Sequence, residues 1–165
     1  MMQIMIANIV NILAGCCCII STQGKNKKQI VSLEFIGSLL RIIMNFIVKS
    51  WSDMVAKIIK VTVQFLFLGN KLTKKQFYFL SLLYIITCIT ITYLSKDLRC
   101  LVAILPSLIE FYALLDSSTK KYRGYIIITK IFWTINNIIF KLYAGIIFDA
   151  IVIITHSLKI RNQAE

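Results

Sequence analysis

Turn-forming residues are scarce in this sequence: one proline and six glycines among 165 residues leave little turn chemistry for a soluble all-β or α/β fold. Charge is scarce as well. Asp, Glu, Lys and Arg make up 16% of the chain, against roughly 25% in ordinary soluble domains. With 58% hydrophobic residues and a mean hydropathy of +0.79, there is too little polar surface to cover a globule of this size. There is a single histidine, and the five cysteines show no metal-ligand spacing. Cys16, Cys17 and Cys18 are adjacent, so on a helix they point in three directions and do not converge on one metal; inside apolar runs Cys acts as a small hydrophobe. A Ser/His/Asp order, a His-Glu-x-x-His, a Gly-rich phosphate loop and a Cys-x-x-Cys pair are all missing, so neither an enzyme nor a cofactor is expected.

What the chain has in quantity is Ile, Leu, Phe and Val in long runs. A membrane-crossing helix needs about 20 apolar residues, and seven candidates follow, at about 3–21, 30–48, 51–69, 76–94, 99–116, 123–140 and 143–158. The links are short, as between antiparallel neighbours. Trp51, Tyr78, Tyr93, Tyr122 and Tyr143 fall near the ends, where aromatic anchors sit at a membrane surface. The expected class is therefore all-α, a polytopic helical membrane bundle whose solvent is the lipid bilayer.

The formal charge of +12 would suggest nucleic acid in a soluble protein. Here the basic residues stand in clusters between apolar runs, so nucleic acid is not an expected partner and the clusters instead set orientation. With the N-terminus outside, the inner links carry eleven Lys and Arg: Lys25, Lys27, Lys28, Lys71, Lys74, Lys75, Lys120, Lys121, Arg123, Lys159 and Arg161. The outer links carry four: Lys49, Lys96, Arg99 and Lys141. This bias predicts an outside N-terminus and a cytoplasmic C-terminus. Lys57 and Lys60 interrupt the third run, yet dropping it reverses every later link and largely cancels the bias, so seven spans are retained. Leu13-Ala14-Gly15-Cys16 also spells a lipoprotein cleavage box, but residues 1–15 hold no Lys or Arg ahead of the apolar stretch, and the box is read as a chance match within the first helix.

A shift of 92 positions lays "IMNFIVKSW" (43–51) on "INNIIFKLY" (135–143), matching Asn45 to Asn137, Lys49 to Lys141 and Trp51 to Tyr143. The expected organisation is one transmembrane domain, residues 1–165, made of two parallel three-helix repeats (about 3–69 and 99–158) joined by a linker helix (about 76–94).

Ionisable residues inside spans are expensive and are functional candidates by default. Glu34, Ser38, Arg41 and Asn45 follow one another at helical spacing, and Lys130, Trp133 and Asn137 occupy the repeat positions of the last three. Lys57 and Lys60 share a side of the third run, Glu110 follows Pro106 by four, and Asp149 and His156 lie two turns apart. The competing reading is packing: Glu34 and Arg41 pair with each other or with neighbouring helices, Asn and Ser act as interhelical glue, and Lys57 snorkels outward. His156 is read either as a proton partner of Asp149 or as an interfacial residue without a role. Pro106 is read either as a hinge or as a residue that only shapes the bundle.

Four stretches, "STQGKNKK" (21–28), "ILPSLIEFYAL" (104–114), "WTINN" (133–137) and "AGIIFD" (144–149), occur in the order and spacing of one known family. On these the chain resembles the YgjV family of bacterial inner-membrane proteins over nearly its whole length. The resemblance implies an inner-membrane location and a topology rather than a reaction. A more distant likeness, through the three-plus-one-plus-three layout, is to the SWEET and PQ-loop transporters, whose first loop carries Pro-Gln where this chain has Thr22-Gln23. The expected function is a permease for a small polar or anionic solute, with a site between the repeats lined by Arg41, Asn45, Lys130, Trp133 and Asn137. Glu34, Glu110 and Asp149 serve as charge partners or proton acceptors. The alternative is a non-transporting membrane protein that binds or organises other membrane components. Self-association into a homo-oligomer is compatible with either.

Overall fold

A computed structural model describes residues 2–47, 51–96, 99–102, 104–115, 118–139 and 143–162. They form helices and, among the described residues, no strand: α1 (Met2–Ser21), α2 (Lys27–Ile47), α3 (Trp51–Leu68), α4 (Lys74–Ser95), α5 (Arg99–Val102), α6 (Ile104–Leu115), α7 (Thr119–Ile139) and α8 (Tyr143–Asn162). The expected segment 99–116 is thus described as α5 and α6 on either side of residue 103. Residues 49 and 141, and the side chains of Trp51, Cys100 and Tyr143, lie outside what is described.

Several helices start before their apolar runs because side-chain caps, not hydropathy, set their first turns. Asn26 Oδ1 accepts from the Gln29 amide at 2.9 Å, so α2 begins at Lys27, three residues ahead of the expected start. Ser118 Oγ accepts from the Lys121 amide at 3.4 Å and α7 begins at Thr119. The sequence Thr73-Lys74-Lys75-Gln76 closes a reciprocal capping box at the start of α4. At the end of α3, Asn70 takes the left-handed conformation (φ 56°) and the Lys71 amide reaches back to the Leu66 carbonyl at 2.8 Å, turning the chain within a few residues.

The most extensive packing is between α1 and α2, α2 and α3, α6 and α7, and α7 and α8. Contacts of α3 with α6 and of α1 with α8 close these six helices into a ring, and α4 leans on the α3–α6 side. One end of the ring is fixed by long-range contacts. Lys27, at the start of α2, donates to the Leu114 carbonyl at the end of α6 and stands over the rings of Phe67 (end of α3) and Tyr122 (start of α7). Arg123 reaches the Thr22 and Gly24 carbonyls beyond α1 and the His156 ring in the last turns of α8. Phe77, near the start of α4, and Tyr125 both pack edge-on against Tyr112. The starts of α2, α4 and α7 therefore meet the ends of α1, α3, α6 and α8, and the helices alternate in direction.

The distribution of polarity is inside out. Phe46, Phe65, Phe79, Leu94 and Ile147 are more than half exposed, whereas Asn45, Glu110, Arg123, Asp149 and His156 are buried. A large apolar exterior around a polar interior is the arrangement lipid requires and water penalises. By length and composition two helices, Lys27–Ile47 and Lys74–Leu94, are apolar enough to cross a membrane on their own account. Charge within α3, α7 and α8 lowers theirs. Tyr78 and Tyr93 are exposed at opposite ends of α4, as expected of interfacial anchors, but Tyr122 is buried and serves the interior instead.

Close helix contact depends on Gly37 of α2, where an added Cβ would meet the Ala14 carbonyl oxygen of α1 at 3.1 Å. Around Gly124 of α7 a Cβ would meet nothing within 4 Å. Gly37→Leu is expected to destabilise the protein by about 1–3 kcal/mol through overpacking, whereas Gly124→Ala gains about 0.5–1 kcal/mol of helix stability. Thermal unfolding of the two purified variants in detergent checks the opposite signs.

Candidate functional site

The ionisable residues expected inside the spans meet within the ring as a column of cross-helix contacts. Nearest the end closed by Lys27, Tyr122 of α7 donates to Glu34 Oε2 of α2 at 2.6 Å. One step further in, Lys60 of α3 is in an ion pair with Glu110 of α6. Glu34 lies within electrostatic reach of both Lys60 and Glu110, so two carboxylates share the neighbourhood of one ammonium. Beyond them Lys57 Nζ stands 5.2 Å from the centre of the Trp133 ring, a cation–π contact between α3 and α7. Lys57 is thus in contact with the ring face of Trp133 on α7.

The deepest joint is built on Asp149 of α8. Its Oδ1 accepts from Lys130 Nζ at 2.9 Å and its Oδ2 from Asn137 Nδ2 at 2.8 Å, both donors coming from α7. Lys130 and Asn137 are seven apart, on one face, so a single carboxylate between them fixes the rotation of α7 against α8. Gly145 makes this geometry available. A Cβ there would lie 2.6 Å from Asn137 Nδ2, so the amide occupies space that only glycine leaves free. Gly145 and Asp149 are one turn apart on the same face of α8, the first admitting Asn137 and the second binding it.

Arg41 of α2 is half-buried and donates to Cys18 Sγ of α1 at 3.8 Å. Asp149, Glu110 and Glu34 all lie within electrostatic reach of its guanidinium. Of the two pairings open to Glu34 and Arg41, with each other or with neighbouring helices, the structure shows the second: Glu34 meets Tyr122 of α7 and Arg41 meets Cys18 of α1. Asn45 is buried on the same helix, and among the described residues no hydrogen bond joins it to Asn137. The structure therefore brings Glu34, Lys57, Lys60, Glu110, Lys130, Trp133, Asn137 and Asp149 into four cross-helix contacts, with Arg41 and Asn45 both on α2.

Two participants, Tyr122 and Arg123, are not evident from sequence, and a third, His156, has another partner than the one its spacing suggests. Tyr122 looked like a surface anchor. Arg123, counted as a link charge, is 1% exposed. His156 is 0% exposed and its Nδ1 lies 2.9 Å from Arg123 Nη1, so it answers to Arg123 and not to Asp149. The available signal is spacing: Tyr122, Ile126 and Lys130 follow one another at steps of four and so share a helix face. Among the described residues no three His, Cys, Asp or Glu side chains converge as a metal site requires.

An apolar shell, alternating helices and ion pairs buried within the bundle define a helical membrane protein. The chain belongs to the Imp-YgjV family, described as bacterial inner membrane protein, whose family model matches residues 5–164. No match was found among curated proteins or among solved structures.

If the Asp149 joint holds α7 to α8, Asp149→Leu alone leaves the Lys130 charge buried without its partner and costs about 3–5 kcal/mol. Adding Lys130→Met removes that charge and is expected to restore most of the loss. A double-mutant cycle read by thermal unfolding checks it; equal and additive losses would remove the coupling.

Proposed function

We propose that the protein is a permease for a small polar or anionic solute, moved through the interior of the helix ring without chemical conversion. The observation that carries this reading is Arg41: a half-buried guanidinium, bonded to a thiol, inside a bundle where Lys60 and Lys130 sit against carboxylates and Lys57 against a ring face. Guanidinium presents five donors and is suited to binding an anionic group. Lys57 on Trp133, Asn45 and Asn137 supply further polar and stacking surface along the same interior, and Glu34, Glu110 and Asp149 balance the charge when no solute is present.

The proposed architecture has seven crossings, with α5 and α6 counted as one, the N-terminus outside and the C-terminus cytoplasmic. Two three-helix repeats follow, α1–α2–α3 and α6–α7–α8, joined through α4. The packing order supports the repeat: α1–α2 corresponds to α6–α7, α2–α3 to α7–α8, and the closing contact α3–α6 to α8–α1. The 92-residue shift that relates Asn45 to Asn137 also relates Cys18 to Glu110, Lys57 to Asp149 and Gln64 to His156, all of them interior or half-interior positions. The described basic residues of the inner links gather at the end closed by Lys27 and Arg123, which supports that end as the cytoplasmic one.

A second reading, a non-transporting protein that binds or organises other membrane components, is favoured by the direct pairing of Lys60 with Glu110 and of Lys130 with Asp149, contacts that need no solute. The two separate in cells. Uptake of labelled organic acids, sugar phosphates and amino acids is compared between cells with and without the protein, at matched expression. The permease reading expects at least one solute to depend on the protein. Arg41→Gln should lower that uptake about ten- to a hundredfold, since a hydrogen bond to a charged group contributes about 1.5–3 kcal/mol. Uptake indifferent to the protein across the panel decides for the second reading. For orientation, a C-terminal fluorescent-protein fusion is expected to be bright and a C-terminal alkaline phosphatase fusion inactive; the reverse pattern would invert the topology.

A further inference from the structure

On the outside of the ring an open groove of about 380 Å³ runs along α6 between α4 and α7. One wall is Phe77, Ser81 and Ile85 of α4, which follow at steps of four and so share a helix face. Ile109 and Tyr112 of α6 form the floor, and Tyr125 of α7 the far wall. Phe77 and Tyr125 each meet Tyr112 edge-on, with ring centres 6.5 and 5.6 Å apart, so the end of the groove nearest the start of α4 is aromatic. The groove opens onto the apolar exterior: Tyr78 and Leu82 beside it on α4, and Tyr112 within it, are more than half exposed.

Ser81 is out of keeping with this lining. It is 9% exposed, and among the described residues its hydroxyl has no hydrogen-bond partner. Ser38, Thr62, Thr134 and Thr155 turn theirs onto the carbonyl four residues back in their own helix. Ser81 does not. Thr92 also lacks a partner, but it lies outside the groove lining. A hydroxyl without a partner in apolar surroundings costs free energy that an acceptor brought into the groove recovers.

We propose that the groove binds an anionic phospholipid, with an acyl chain along Ile85 and Ile109 and an ester carbonyl accepting from Ser81 Oγ. Shape favours a lipid over a second copy of the chain. Over the roughly 12 Å of α4 from Phe77 to Ile85 the volume has a section on the order of 30 Å², against roughly 80 Å² for a helix about 10 Å across. An extended hydrocarbon chain fits that section and a helix does not. Register places the headgroup. Lys74 is exposed on the groove face of α4, three residues before Phe77 and seven before Ser81, so an ester beside Ser81 leaves its phosphate toward the lysine. Lys71 and Lys75 are exposed at the same end, and residues 54–96 contain no Asp or Glu, so the charge there complements an anionic headgroup. Rotation of Ser81 about χ1 turns its hydroxyl to the ester.

The proposal depends on membrane residence and not on transport. The full chain is purified in a non-ionic detergent and titrated with phosphatidylglycerol or phosphatidylcholine, and lipid retained per chain is counted by native mass spectrometry. Saturable retention of one phosphatidylglycerol is expected, with phosphatidylcholine held severalfold more weakly. Ser81→Ala, which removes an unpartnered hydroxyl and leaves the helix intact, should weaken phosphatidylglycerol severalfold. Ile109→Trp, which fills the groove, should weaken it tenfold or more, and Lys74→Gln should bring it to the phosphatidylcholine level. Should Ile109→Trp fail to fold, Ser81→Ala and Lys74→Gln decide. No retained lipid, equal retention of the two lipids, or equal retention by the parent, Ser81→Ala and Lys74→Gln overturns the proposal. A dimer mass that Ile109→Trp abolishes also overturns it, by making a second copy the occupant.

Discussion

An ionised side chain inside a lipid-facing bundle must find its counter-charge or hydrogen-bond partner on another helix, because the hydrocarbon outside offers none. That constraint organises the structure more than apolar packing does. Hydrophobic contact between helices is weakly directional where the surrounding lipid is equally apolar, so Leu and Ile do not by themselves choose which faces meet. The polar joints do. Asp149 sets α8 against α7 through two donors, Glu110 ties α6 to α3, and Glu34 reaches across from α2 to α7. Removing any one partner leaves its counterpart in a low dielectric, which makes the arrangement self-enforcing.

Each of the four sequence stretches that carried the family resemblance ends in such a joint. "STQGKNKK" supplies the Thr22 and Gly24 carbonyls that hold Arg123, and the lysine that spans to Leu114. "ILPSLIEFYAL" supplies Ser107, which accepts from the buried Tyr84 at 2.9 Å, and Glu110, which takes Lys60. "WTINN" and "AGIIFD" are two halves of one device, an amide on α7 and the glycine and carboxylate on α8 that receive it. The spacing of those motifs along the chain is thus the spacing of contacts between helices.

Much of the helical layout was readable from sequence because apolar runs and their breaks are local signals. Helix starts were displaced where a cap lay upstream, as Asn26 does for α2. The residues that would line an interior were also readable, since charge within an apolar run has few places to go. Their partners were not. Glu34 and Tyr122 are 88 positions apart and Lys60 and Glu110 are 50 apart, and nothing in either neighbourhood names the other. Tyr122 and Arg123 were misjudged for the same reason: position near a helix end suggested the surface, and only the packing of α1, α2 and α8 around the start of α7 buries them. Trp133 was legible as a stacking surface, but that a lysine from α3 rests on it was not.

The burial of Lys27 and Arg123 separates two moments in the life of the chain. Membrane orientation is decided on the nascent polypeptide, when link residues are still hydrated and their charge is felt by the insertion machinery and the lipid headgroups. Folding comes later, and these two cations then leave the water that first registered them to become pins between α2 and α6 and between α7, α1 and α8. In the proposed orientation the same side chains are an address during synthesis and a fastening afterwards.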